Sequence, residues 1–126
     1  MTESLYKIDV VVKTEYIEFQ SIPSENRFVF SYTVNIKNSG KIPAKLISRH
    51  WIITDADGKI EEVKGLGVIG EQPRLLKNES FEYTSGTILN TPIGTMHGKY
   101  FMIADNGYEF DAPIPLFSLN VPKIIN

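Results

Sequence analysis

The sequence predicts an all-β chain, an antiparallel β-sandwich of seven or eight short strands. Three observations lead there. Apolar residues recur with a period of two along most of the chain, turn-forming pairs separate the apolar runs, and no segment carries an amphipathic helical stripe.

Taken in order, residues 6–17 (YKIDVVVKTEYI) alternate Ile8, Val10 and Val12 against Asp9 and Lys13, with Val11 blurring the register. Residues 28–37 (FVFSYTVNIK) carry the clearest alternation. Phe28, Phe30, Tyr32, Val34 and Ile36 share one face, and Ser31, Thr33, Asn35 and Lys37 share the other. Burying each large side chain of that face contributes about 1.5–3 kcal/mol, enough to anchor one sheet. Residues 44–54 (AKLISRHWIIT) are apolar on both faces, which suits a central strand. IEEVK at 60–64 can serve as a further strand, and SFEYTSG (80–86) and KYFMIAD (99–105) read as two more. The last long run is YEFDAPIPLFSLNV (108–121), where Pro113 and Pro115 cannot donate ladder hydrogen bonds and so predict an edge strand or a bulge.

Turn signals fall between these runs at Asn38-Ser39-Gly40, Asp57-Gly58 and Asn106-Gly107. The last pair predicts a type I′ hairpin, which needs positive φ at both central residues. EQPRLLKNES (71–80) is the one helix candidate; it is interrupted by Pro73 and too short to bury a stripe. No repeat, low-complexity tract or linker is present.

At 126 residues the chain is read as a single domain, 1–126. Hydrophobic content of 42% and charged content of 22% are those of a folded domain that buries a sizeable core. Thirteen basic and 15 acidic residues leave a net charge of −2, which argues against duplex nucleic acid or an anionic membrane as partner. Cysteine is absent, so disulfides and thiolate metal sites are excluded. The N-terminus lacks the basic-then-apolar pattern of a secretory signal, and no apolar run approaches the roughly 20 residues of a membrane span. A soluble, cytoplasmic protein is expected, and the sequon Asn78-Glu79-Ser80 reads as coincidence.

Gly65-Leu66-Gly67-Val68-Ile69-Gly70 matches G-x-G-x-x-G, the spacing that cradles pyrophosphate in dinucleotide-binding folds. Such a loop works through the helix N-terminus that follows it. Pro73 and the missing helix remove that half, no acidic residue lies about 20 residues on for a ribose, and no Lys-Ser/Thr pair makes a P-loop. Two readings remain. In the plainer one, the glycines supply positive φ or a close backbone approach. In the other, successive amides form an anion-binding nest, with Arg49, Arg74 or Lys64 adding charge and Leu66, Val68 and Ile69 anchoring the loop.

The inventory for catalysis is thin. No serine lies in G-x-S-x-G, His50 and His97 are the only neutral-pH bases, and Asp105, Glu109 and Asp111 read as solvating a hairpin. No catalytic residue, cofactor or metal ligand set is therefore assigned. His50 and His97 could meet if their strands are neighbours, with Glu71 or Asp105 as third ligand, but no metal-binding spacing supports them. In Arg49-His50-Trp51 a strand places Arg49 and Trp51 on one face. The pair reads as an interaction hot spot or, preferred here, with Trp51 as a core residue between sheets and His50 exposed on the far face.

RHWIITDADGKIEEVKGLGVIGEQPRL, the F-x-Y-x-S-G of Phe81 to Gly86, and TPIGTMHGKYFM together resemble the ApaG family, over nearly the whole chain from Tyr6 to Val121. The resemblance implies a fibronectin-III-like β-sandwich. It implies an association with magnesium and cobalt homeostasis and a gene neighbourhood that includes diadenosine tetraphosphate hydrolase. It also implies a role in protein recognition, since ApaG-like domains occur in eukaryotic F-box and polymerase-interacting proteins. The family's glycine motif, carried here by Gly65, Gly67 and Gly70, has been likened to a pyrophosphate-binding loop.

The expectation is thus a non-enzymatic binding module with a protein partner, and the free sheet edges also offer pairing to a second copy. The alternative is a sensor of pyrophosphate or a dinucleoside polyphosphate at Gly65 to Gly70.

Overall fold

The computed structural model describes residues 4–122. Eight strands follow one another along the chain: β1 (Ile8–Tyr16), β2 (Phe28–Asn38), β3 (Ala44–Asp55), β4 (Ile60–Leu66), β5 (Arg74–Leu75), β6 (Ser80–Leu89), β7 (Ile93–Ala104) and β8 (Glu109–Asn120). Two 3-10 turns, Glu18–Gln20 and Pro23–Glu25, are the only helical turns among the described residues. None is long and apolar enough to cross a membrane. One sheet has the order β1-β2-β6; the other has β4-β3-β7-β8, with β5 also pairing β3. All pairings are antiparallel.

The period-two pattern decides which face of each sheet is buried. Phe28, Phe30, Tyr32, Val34 and Ile36 of β2 all enter the core, as their alternation predicts, and meet Leu46, Trp51 and Ile53 of β3 and Met96, Tyr100 and Met102 of β7. In β1 the ambiguity at Val11 resolves with Ile8, Val10 and Val12 packed on the core and Val11 exposed. Trp51 is buried edge-on to Tyr100 and Phe117, at centroid distances of 6.3 and 5.9 Å, which bears out its core reading. Both expectations from the prolines hold. β8 is the last strand of its sheet, and its register to β7 shifts between Met96 and Gly98.

Two expectations need correction. β7 starts at Ile93, six residues before the predicted run, because Gly94, Thr95 and Gly98 dilute an alternation that strands on both sides stabilise through pairing. The turn at Asn106-Gly107 is not type I′. Gly107 has φ +88° but Asn106 is not among the positive-φ residues, and the Gly107 amide donates to the Ala104 carbonyl at 2.8 Å. That pattern is a type I turn closed by a left-handed glycine, the three-residue hairpin loop. Asp55 to Lys59 repeats it, with Gly58 at φ +83°.

The sandwich closes on one side and stays open on the other. β1 lies against β8, where Tyr6 stacks on Tyr108 at 4.1 Å and accepts a 2.7 Å hydrogen bond from the Asn106 amide. Opposite, β4 and β6 end their sheets without pairing to one another.

Candidate functional site

The glycine segment forms a tight hairpin that leads from β4 to β5. Val68 and Glu71 form an antiparallel bridge, each amide donating to the other's carbonyl at 2.8 and 2.9 Å. The two residues between them, Ile69 and Gly70, have φ of 44° and 79°. Positive φ at both central positions is the type I′ turn, so the chain places it here and not at Asn106-Gly107. Gly67 has φ +61° and donates its amide to Ile47 at 2.8 Å; a Cβ there would lie 2.3 Å from the Glu71 carbonyl oxygen. The motif's last two glycines are thus dictated by backbone geometry.

Gly65 has a different reason. A Cβ on it would stand 2.8–2.9 Å from the guanidinium of Arg49, its register partner on β3. In that space the Arg49 Nη1 donates to the carbonyls of Leu66 and Gly67, both at 2.9 Å. Gln72 adds a bond from its amide to the Ile47 carbonyl at 2.9 Å. Side chain and backbone therefore brace the hairpin from within. Of its three anchors named from sequence, only Val68 is buried; Leu66 and Ile69 are 76% and 59% exposed. The correction follows from the turn, which swings Ile69 to the tip.

The six residues expected to gather at an anion divide into separate environments. Gly65, Gly67 and Arg49 are in contact, and Gly70 sits at the tip. Lys64 is the neighbour of Gly65 in β4 and so faces the opposite side of the sheet. Arg74 is held by Asp105, through Nε to Oδ1 at 2.9 Å and a second contact from Nη2. That hydrogen bonding raises the Arg74 pKa and lowers that of Asp105.

β3 and β7 are neighbours, so His50 and His97 do lie on adjacent strands. His50 instead contacts Glu62 at 3.0 Å, Glu71 belongs to the hairpin and Asp105 to Arg74. Among the described residues no group of three or more His, Cys, Asp or Glu is placed to hold a metal ion.

One constellation near Arg49 was not legible in the sequence. Tyr83 of β6 and Tyr100 of β7 share a buried hydrogen bond of 2.5 Å between their hydroxyls, across the two sheets. Burial pushes the Tyr83 hydroxyl up to about 12, and burial together with Tyr83 pushes Tyr100 up further. Arg49 pulls slightly the other way on both. No sequence signal pairs two tyrosines 17 positions apart.

Comparison with known proteins agrees with this architecture. The sequence model of the ApaG domain matches residues 18–104. A Protein ApaG of Aromatoleum aromaticum is 52% identical over 127 residues, covering 100% of both chains. One of Thiobacillus denitrificans is 54% identical over 121 residues, covering 96% of this chain and 95% of the other. The crystal structure of an ApaA protein from Bordetella pertussis superposes with a TM-score of 0.94 at 50% identity, covering 98% of this chain and 100% of that one. A match to the domain over most of the chain and half-identical full-length relatives leave one assignment: the chain belongs to the ApaG family.

Proposed function

We propose that this ApaG protein is a non-enzymatic binding module that recognises a protein partner through the tip of its glycine hairpin. One observation carries the reading. Leu66 and Ile69 are held in solvent by a hairpin whose backbone is braced by Arg49, Gln72 and its own bridge. Exposed aliphatic groups on a rigid support lose little entropy when a partner covers them. Magnesium and cobalt handling would then run through that partner.

A photo-cross-linking residue at position 69, introduced in living cells, tests this. The expected result is one discrete protein adduct, missing when the probe sits at exposed Val11 on the other sheet and missing in Leu66→Asp. A smear shared by both positions overturns the reading, as does enzyme-like turnover of a nucleotide by the purified protein.

The second reading is a sensor of pyrophosphate or a dinucleoside polyphosphate at Gly65 to Gly70, with Arg49, of the three cations named from sequence, as the charge at the hairpin. Its support is that the amides of Ile69 and Gly70 take no part in the hairpin's own pairing. In an amide NMR titration with pyrophosphate at low salt, saturable shifts confined to Leu66 to Glu71 would favour it. Silence there, with the spectrum intact, leaves the protein partner.

A further inference from the structure

We propose that the open side of the sandwich binds an organic carboxylate, with the anionic head on Arg49 and an apolar body in the cleft beside Trp51. This site is separate from the hairpin tip. A cleft of about 260 Å³ runs between the β3–β4 lip and β6, lined by Arg49, Trp51, Val63, Tyr32, Ser85 and Thr87. It exists because β6 changes character along its core-facing positions. Tyr83 and Leu89 fill their places, but Ser85 and Thr87 between them are too small to reach the opposite sheet.

Arg49 is the residue that points to a ligand. It faces the core side of its sheet, on the same face as Trp51, and is partly buried. Its Nη1 is consumed by the Leu66 and Gly67 carbonyls, and it has no carboxylate partner among the described residues. A partly buried guanidinium without a counter-charge is uncommon, because desolvation is costly unless paired. No fully buried side-chain nitrogen or oxygen lacks a partner among the described residues, so its Nε and Nη2, which hold no hydrogen bond, keep contact with solvent on a residue that lines the cleft. Bracing the hairpin accounts for Nη1 alone.

The geometry also selects the ligand. The free Nε–Nη2 edge presents two parallel donors, the fork that matches the two oxygens of a carboxylate. Glu61 lies on the same lip and opposes a more highly charged anion. The hydroxyls of Ser85 and Thr87 offer further donors, and Ile53, Val63 and the small accessible parts of Trp51 and Tyr32 give the cleft an apolar wall.

Trp51 is the chain's one tryptophan, so intrinsic fluorescence reads occupancy of the cleft directly. The full chain would be titrated with octanoate, with octan-1-ol and with inorganic pyrophosphate. The expected result is a saturable change with octanoate that octan-1-ol does not reproduce and pyrophosphate does not exceed. Arg49→Gln should weaken octanoate by about tenfold or more, the worth of a charge-assisted pair. Because Arg49→Gln also loosens the hairpin, Thr87→Phe provides a second block that fills the cleft from β6 and should abolish the change. Ile69→Ser at the exposed tip should leave it intact, which separates this site from the hairpin tip. The proposal is overturned if octanoate gives no saturable change, if Arg49→Gln or Thr87→Phe binds it as well as the parent, or if pyrophosphate binds more tightly.

Discussion

At the scale of single residues, the glycine motif divides by the force that acts on each position. Gly70 has positive φ with nothing near its absent Cβ, so Gly70→Ala should cost only the left-handed backbone penalty, about 1–2 kcal/mol. Gly67 has the same sign of φ and a carbonyl oxygen 2.3 Å from where a Cβ would stand. Gly67→Ala should therefore lose clearly more, and urea unfolding of the two variants side by side measures the difference. The tyrosine pair gives a pH prediction. Both hydroxyls hold their protons more tightly in the fold than at the ordinary value of 10.0. Their contribution is then complete below about pH 10 and is lost as pH rises through the folded values, about 12 for Tyr83. A Tyr83→Phe change strands the Tyr100 hydroxyl in the core and should cost about 1–3 kcal/mol near neutrality. The double Phe variant should recover most of that and unfold at a higher pH than the parent, as thermal melts between pH 8 and about 12 would read.

At the scale of elements, Asn38 does what no ladder bond could. It ends β2 fully buried, donates through Nδ2 to the carbonyls of Ile42 and Leu75 at 3.0 and 2.9 Å, and accepts from the Gly40 amide at 2.9 Å. One side chain thus fastens β2, the crossover to β3, and the two-residue β5. Asn38→Ala removes these three bonds at a buried position, the Gly40 amide keeping a 3.1 Å bond to the Lys7 carbonyl, and should cost about 2–4 kcal/mol in chemical denaturation. Hydrogen exchange should quicken first at β5, which has only Ala44 and Lys45 as paired neighbours. The free edge at β4 is guarded against pairing. β4 is short and carries Glu61, Glu62 and Lys64, and charge on an edge discourages pairing with other chains.

At the scale of the whole molecule, both sheets share one core, from Phe30 and Ile36 of β2 to Met96 and Leu119 on the other sheet. Loss of either sheet exposes the other's apolar face, so unfolding should be a single cooperative step. Trp51 fluorescence and far-UV circular dichroism should give coincident urea transitions; two separated midpoints would contradict a shared core. Folding should be slow, on the order of milliseconds to seconds, because half of the pairings, β2 with β6 and β3 with β5 and β7, join strands that are not consecutive in the chain. Stopped-flow refolding followed by Trp51 checks this.

How much of this was legible in the sequence depends on how local its cause is. The face that each residue of β2 presents follows from alternation within eleven neighbouring residues, and Trp51 and the prolines of β8 were legible for the same reason. Membership of the ApaG family was legible too, since it rests on residue order alone. The start of β7 was not, because Gly94 and Gly98 join a strand only when β3 and β8 are there to pair with them. The exchange of turn types has the same origin. Isoleucine resists positive φ by itself, and Ile69 adopts it only because burial of Val68 and the grip of Arg49 hold the hairpin shut. The sequence by itself therefore determined the all-β class, the buried faces of the alternating strands and the family. Tertiary structure alone decided that Arg49 braces the hairpin while lining a cleft and that two tyrosines meet across the core, because such contacts join residues whose separation along the chain carries no local signal.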